Sequence, residues 1–298
     1  MIATAAALTP TRVWWSAVRP ATLAASVAPV LAGTAIAVHE GGPRLGGGLL
    51  ALLVGVAMQL GVNFANDYSD HVRGADKTRV GPVRAASSGV VSPDRVKWAA
   101  VAAFTTAAVA GLVLSVITDP RLLVVGVACL LAGWLYTGGP RPYGYLGLGE
   151  VFVFVFFGLV ATVGTFYVET LRVTPLAILV GCAMGSLATT ILILNNLRDM
   201  ETDRAAGKRT LTTRIGRGPT RVLLVVLMGA AFAVPIVAFV TRLVPVTVML
   251  VYLAVPLAVV PVRIAFATTA PPALVRALKR MAMAELAYAL LLTLGLLL

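Results

Sequence analysis

The sequence predicts an all-α integral membrane protein. Its nine transmembrane helices form two four-helix pseudo-repeats plus one, in a single domain over residues 1–298. Three observations carry this. Of 298 residues, 59% are hydrophobic and only 12% charged, about half the charged share of an ordinary soluble domain. Apolar stretches long enough to cross a bilayer recur nine times. Basic residues gather in alternate loops. The same composition excludes a soluble globule and a disordered chain. A disulfide scaffold is excluded because Cys129 and Cys182 both lie inside apolar runs.

Span 1, 21–38, follows Trp14, Trp15, Arg19 and Pro20, which read as an interfacial segment and not as a signal peptide. Spans 2 and 3 are 45–65 and 98–118, with a long polar loop between them. Span 4, 121–137, is short, and span 5, 146–168, is rich in phenylalanine. Span 6 is 174–195. Spans 7 and 8, 220–240 and 243–263, contain prolines that kink helices. Span 9, 281–298, is short and follows Arg276, Lys279 and Arg280, which anchor it at the headgroups. The loops show no strand alternation, so every span is read as helix.

Twenty of the 24 Lys and Arg residues fall on one side of this topology. Arg44, Arg121, Arg172 and Arg242 are the four on the other. The positive-inside rule then places the N-terminus and the long loops in the cytoplasm of a multi-pass cell-membrane protein, with the C-terminus outside. The net charge of +12 is thereby explained by topology and calls for no nucleic acid.

The twelve acids are just as uneven. Six lie in two short segments: Asn63-x-x-Asn66-Asp67-Tyr68-Ser69-Asp70 with Asp76, and Asn196-x-x-Asp199-x-Glu201-x-Asp203. Four spans separate them, so both return to the same face of the membrane. On a helix Asn63, Asp67 and Asp70 share one face, as do Asn196, Asp199 and Asp203. Two carboxylate walls would repel one another unless a hard cation lies between them. Mg²⁺ takes one or two carboxylates and completes its shell with water and phosphate oxygens. A diphosphate held through Mg²⁺ fits, with Lys77, Arg79, Arg84, Lys208 and Arg209 neutralising the remaining charge. Asp67, Asp70, Asp199 and Asp203 are the expected metal ligands and catalytic residues. A transporter with an acidic cation site is the alternative from another class, although these acids sit at helix ends and not at mid-bilayer. The Asp-Gly-x-x-Ala-Arg run of membrane phosphotransferases is absent.

The paired segments resemble the two aspartate-rich motifs of the UbiA superfamily of intramembrane prenyltransferases. Trp14-x-x-Ala17-x-Arg19-Pro20, Gly81-Pro82-Val83-Arg84, the run from Tyr136 to Glu150 and Gly207-Lys208-Arg209 resemble its 1,4-dihydroxy-2-naphthoate polyprenyltransferases. The resemblance implies Mg²⁺-dependent transfer of a polyprenyl chain from its diphosphate to 1,4-dihydroxy-2-naphthoate, with loss of CO₂, in menaquinone biosynthesis. Another acceptor such as 4-hydroxybenzoate is the alternative within the superfamily. Asn63, Asn66, Asp76 and Asn196 join the five cations named above as expected substrate-binding residues. Arg141, Tyr136 and Tyr143 are expected to serve the aromatic acceptor, and Lys77, Arg79, Lys208 and Arg209 the diphosphate. Phe152, Phe154, Phe156, Phe157 and Phe166 are candidates for lining the path of the tail.

Overall fold

The structure, a computed structural model, describes residues 9–74 and 83–298. Asp76, Lys77, Arg79, Gly81 and Pro82 lie outside the described residues. No strand occurs among those described.

Thr9 starts the first helix, α1 (Pro10–Val18): its hydroxyl accepts from the Arg12 N–H at 3.4 Å, and Pro10 fills the first turn. Arg19 breaks the helix with a left-handed φ of 52°, and α2 (Pro20–His39) begins at the next residue. This break turns the Arg19 side chain toward α3 (Leu45–Val72). α3 continues seven residues past the expected end of span 2, because apolar patterning stops at the membrane edge while helical hydrogen bonding does not. α4 (Pro93–Ile117) then packs along α3.

α5 (Leu122–Leu135) has only 14 residues, shorter than the expected 121–137, and gives way to a turn through Gly138 and Gly139, the latter at φ 75°. A short 3₁₀ turn over Tyr143–Leu146 precedes a rod made of α6 (Gly149–Val153), a π-helical stretch (Phe154–Val160) and α7 (Ala161–Thr170). α8 (Pro175–Ala205) is the central helix. It too outruns its expected span, by ten residues, and so carries the second acidic segment as helix. α8 meets the π-helical stretch where Gly158 faces Gly185; a Cβ on either glycine would collide with the opposing backbone.

The chain continues through α9 (Leu211–Ile215) and α10 (Arg217–Val240). A 3₁₀ stretch (Val246–Ala254) leads into α11 (Val255–Ala267), and α12 (Pro271–Leu297) closes the bundle. α12 starts ten residues before the expected span 9, with Pro271 and Pro272 in its first turn. Eight helices among the described residues are long and apolar enough to cross a membrane; α5 is a ninth, shorter apolar helix. The core lies between α2, α8, α10 and α12, where Ile36, Met184, Leu187 and Tyr288 are fully buried. Trp15, Val116, Val124 and Val240 are exposed on the outside of the bundle, as a lipid-facing surface requires.

Candidate active site

The last turns of α3 and α8 bring both acidic segments to one end of a single cavity of about 450 Å³. The cavity is polar at that end and apolar along its body between α3, α4, α5 and α7.

Asp67 is completely buried, and its charge is fully engaged. Arg19 and Arg84 both donate to its Oδ1, and the Ala85 N–H donates to Oδ2 at 3.1 Å. A buried carboxylate is tolerable only with such partners. Arg84 also reaches Asp70 at 3.4 Å. Asn63 is tied to the α1–α2 junction: its amide donates to the Val18 carbonyl at 3.0 Å and its oxygen accepts from Gln59 at 3.0 Å.

Asp199 is gripped by its neighbour Arg198, whose Nε and Nη2 donate at 2.7 and 2.5 Å. Lys208, beyond the end of α8, donates to Asp70 at 2.9 Å and lies 3.8 Å from Asp203. The Tyr145 hydroxyl donates to Asp70 at 2.8 Å, and the Lys208 ammonium sits 4.6 Å from the centre of its ring. Burial disfavours the charge on Lys208, but Asp70, Tyr145 and Asp203 outweigh it and hold the ammonium above the usual lysine range. Burial, and then the Asp70 charge, push the Tyr145 phenol up, so it stays a donor.

Asn66 is held by the central connection between α5 and α6, and Asn196 by the first turn of α6. Thr137 donates to Asn66 at 2.5 Å, and Asn196 donates to the buried Glu150 at 2.9 Å. Arg73 clamps that connection by donating to the carbonyls of Thr137 and Gly139, each at 2.6 Å. Beside the polar end stands an aromatic wall. Tyr136 meets Tyr143 edge-on at 5.5 Å, Tyr143 stacks on Phe152 at 3.9 Å, and Phe152 on Phe156 at 5.8 Å.

Of the residues expected from sequence, Asn63, Asn66, Asp70, Arg84, Tyr136, Tyr143, Asn196, Asp199, Asp203 and Lys208 line this cavity. Asp67 supports it from behind through Arg84 and Arg19. Arg141 and Arg209 are exposed and do not line it; the turn after α5 carries Arg141 outward, and only the Arg209 backbone N–H engages Tyr145. Phe152, Phe156 and Phe157 line the cavity, whereas Phe166 is buried in the core and Phe154 packs on Gly185. Sequence reading missed Arg19, Arg73, Tyr145, Glu150 and Arg198. Glu150 carried a readable signal, an acid inside an apolar span, and Arg198 sits inside the second motif.

Among the described residues no three His, Cys, Asp or Glu side chains converge into a self-sufficient metal cage. Asp70, Asp199 and Asp203 instead face a shared space with Asn66 and Asn196. Hard oxygen donors on opposite walls suit Mg²⁺, which rarely takes an all-protein cage and uses substrate phosphate to complete its shell.

Residues 26–292 match the UbiA prenyltransferase family. Two relatives named 1,4-dihydroxy-2-naphthoate octaprenyltransferase illustrate the similarity. That of Mycobacterium leprae is 46% identical over 227 residues, 76% of this chain and 77% of its own length. That of Haemophilus influenzae is 34% identical over 296 residues, 96% of each chain. Among solved structures, the UbiA homolog of Aeropyrum pernix K1 superposes with a TM-score of 0.65 at 14% identity, covering 91% of this chain and 96% of that one. The Archaeoglobus fulgidus homolog bound to DMAPP and Mg²⁺ gives 0.59 at 17%, covering 94% and 99%. At these identities the two structures speak to the fold.

Proposed function

This chain belongs to the UbiA prenyltransferase family, and from that premise we propose that it prenylates 1,4-dihydroxy-2-naphthoate. The donor is an all-trans-polyprenyl diphosphate. The products are CO₂, diphosphate and the reduced form of demethylmenaquinone, an intermediate of menaquinone biosynthesis. The observation that carries this reading is one cavity with an acid- and lysine-bearing end, an aromatic wall beside it and an apolar body behind. A diphosphate, an aromatic acid and an isoprenoid tail each find matching chemistry in that order. The relatives named for this substrate and donor support the same assignment.

Asp70, Asp199 and Asp203 would hold Mg²⁺, with Asn66 and Asn196 as neighbouring oxygen donors; Asp67, expected from sequence as a fourth ligand, instead holds Arg19 and Arg84 from behind the cavity. When bound, the metal neutralises charge on the diphosphate leaving group. Lys208 and Arg84 supply fixed positive charge at the same end, in place before the C–O bond breaks. The allylic C–O electron pair leaves with the diphosphate. The wall of Tyr143, Phe152 and Phe156 presents π-faces to the cationic carbon and excludes water from it. The ring carbon bearing the carboxylate forms the new C–C bond, and CO₂ departs, returning its bonding pair to the ring. No side chain acts as a covalent nucleophile. The charge asymmetry of the loops supports placing this polar end at the cytoplasmic face of the cell membrane.

The test is direct. Purified protein with Mg²⁺, a polyprenyl diphosphate and 1,4-dihydroxy-2-naphthoate should yield a prenylated naphthoquinol by mass, with release of CO₂. Product from 4-hydroxybenzoate alone would reassign the acceptor, and no product from either would reject the transferase reading.

A further inference from the structure

Five glycines of α3, α4, α5 and α7 line the cavity, and they are not equivalent. A Cβ on Gly133 would press on the Met58 methyl at 2.9 Å, and one on Gly55 would meet the Ser26 carbonyl at 3.3 Å. Those two allow helices to approach. At Gly111, Gly126 and Gly164 an added Cβ would meet no atom within 4 Å. These three, on α4, α5 and α7, leave space that belongs to the cavity itself.

They also share one depth. Gly111 lies six residues before the end of α4, Gly126 four residues after the start of α5, and Gly164 six residues before the end of α7. At about 1.5 Å of rise per residue, all three stand roughly 6–9 Å from the helix ends opposite the acidic segments. Gly164 is fourteen residues along the rod from Glu150, the partner of Asn196, which makes the collar about 20 Å from the polar end. The two polar side chains that line this level have their hydroxyl protons taken up within their own helices: Ser115 donates to the Gly111 carbonyl at 2.7 Å and Thr165 to the Ala161 carbonyl at 2.7 Å. The apolar lining around them includes Leu112, Leu122, Val125 and Val168.

We propose that Gly111, Gly126 and Gly164 form a collar that sets which isoprenoid lengths this cavity accepts, by leaving the far end of the cavity open to long tails. The proposal rests on the prenyl-diphosphate reading above. A tail of two isoprene units ends before the collar. A tail of eight must pass through it.

The experiment compares geranyl diphosphate with octaprenyl diphosphate. Gly164→Leu and Gly126→Leu should lower kcat/KM for the octaprenyl substrate by about tenfold or more while changing that for the geranyl substrate less than about twofold. Gly229→Leu, at an exposed glycine of α10 outside the cavity, should change neither. Equal loss of both substrates at the collar, or no loss, would overturn the proposal. A second measurement needs no turnover. In a background lacking Cys129 and Cys182, a Gly164→Cys thiol should be shielded from a small alkylating reagent by octaprenyl diphosphate and left reactive by geranyl diphosphate. Shielding by both or by neither would refute the collar. If the wild type turned over neither diphosphate, the transferase reading would fail, and this labelling would still decide whether a long tail reaches the collar.

Discussion

The Lys208 ammonium lies 2.9 Å from the Asp70 carboxylate, so the segment after α8 is tied to the end of α3. This contact joins the two acidic segments into one site. It also fixes a cation at the polar end of the cavity, beside which the proposed diphosphate would bind. Lys208→Ala should raise the KM for the prenyl diphosphate and lower kcat, together costing about 2–3 kcal/mol of transition-state stabilisation, because leaving-group charge grows as the bond breaks. Steady-state kinetics with each substrate varied in turn checks this. An unchanged KM for the diphosphate would remove Lys208 from its binding site.

Asp67 and Asp70 differ by three residues on α3 but should fail differently. Asp67→Ala removes from a buried position the carboxylate that Arg19 and Arg84 share, an effect on the order of 3 kcal/mol in stability. Asp70→Ala and Asp203→Ala should abolish most turnover with a smaller fall in melting temperature. Melting in detergent, paired with turnover at limiting Mg²⁺, separates the two outcomes. Equal destabilisation by all three substitutions would contradict the difference.

Arg141 is exposed and outside the cavity, whereas Arg73 holds the central connection by two carbonyls. Arg141→Ala should therefore leave the KM of both substrates within about twofold. Arg73→Ala, which frees two carbonyls and loosens Thr137, should cost about 1–3 kcal/mol in kcat/KM. A large rise in the naphthoate KM for Arg141→Ala would show that this side chain folds back onto the acceptor.

Glu150 accepts the Asn196 amide and does not line the cavity. Glu150→Gln keeps an oxygen acceptor at the same place, and activity should stay within about fivefold. Glu150→Leu leaves the amide unpaired and should cost about 2 kcal/mol. Activity of the Gln variant as low as that of the Leu variant would mean that the Glu150 charge itself is required.

Topology has its own test. Ser69→Cys and Thr202→Cys, one on each acidic segment, should resist impermeant thiol reagents in intact cells and react in inverted vesicles. Labelling of either from outside would break the assignment of this face to the cytoplasm.

Much of this was legible in the chain. Apolar runs about 20 residues long can be little else than membrane helices. Helical periodicity aligned Asn63, Asp67 and Asp70, and Asn196, Asp199 and Asp203, without reference to any fold. The even number of spans between them returned both sets to one face. Those inferences depend on local spacing and on solvent chemistry, which the order of residues carries directly. Partner choice does not follow from spacing. Arg19 reaches Asp67 across 48 positions, Arg73 reaches Thr137 across 64, and Lys208 reaches Asp70 across 138. Many cations in this chain had suitable charge for those roles, Arg141 and Arg209 among them. A left-handed break at Arg19 and the turn after α5 decided which ones face inward. The level shared by Gly111, Gly126 and Gly164 likewise exists only once α4, α5 and α7 stand side by side. Sequence order therefore determined the medium, the helices and the acidic chemistry. Packing between distant helices decided which charges pair, which glycines brace a contact and which leave a cavity open, because contacts across tens of residues are set by helix placement and by no local pattern.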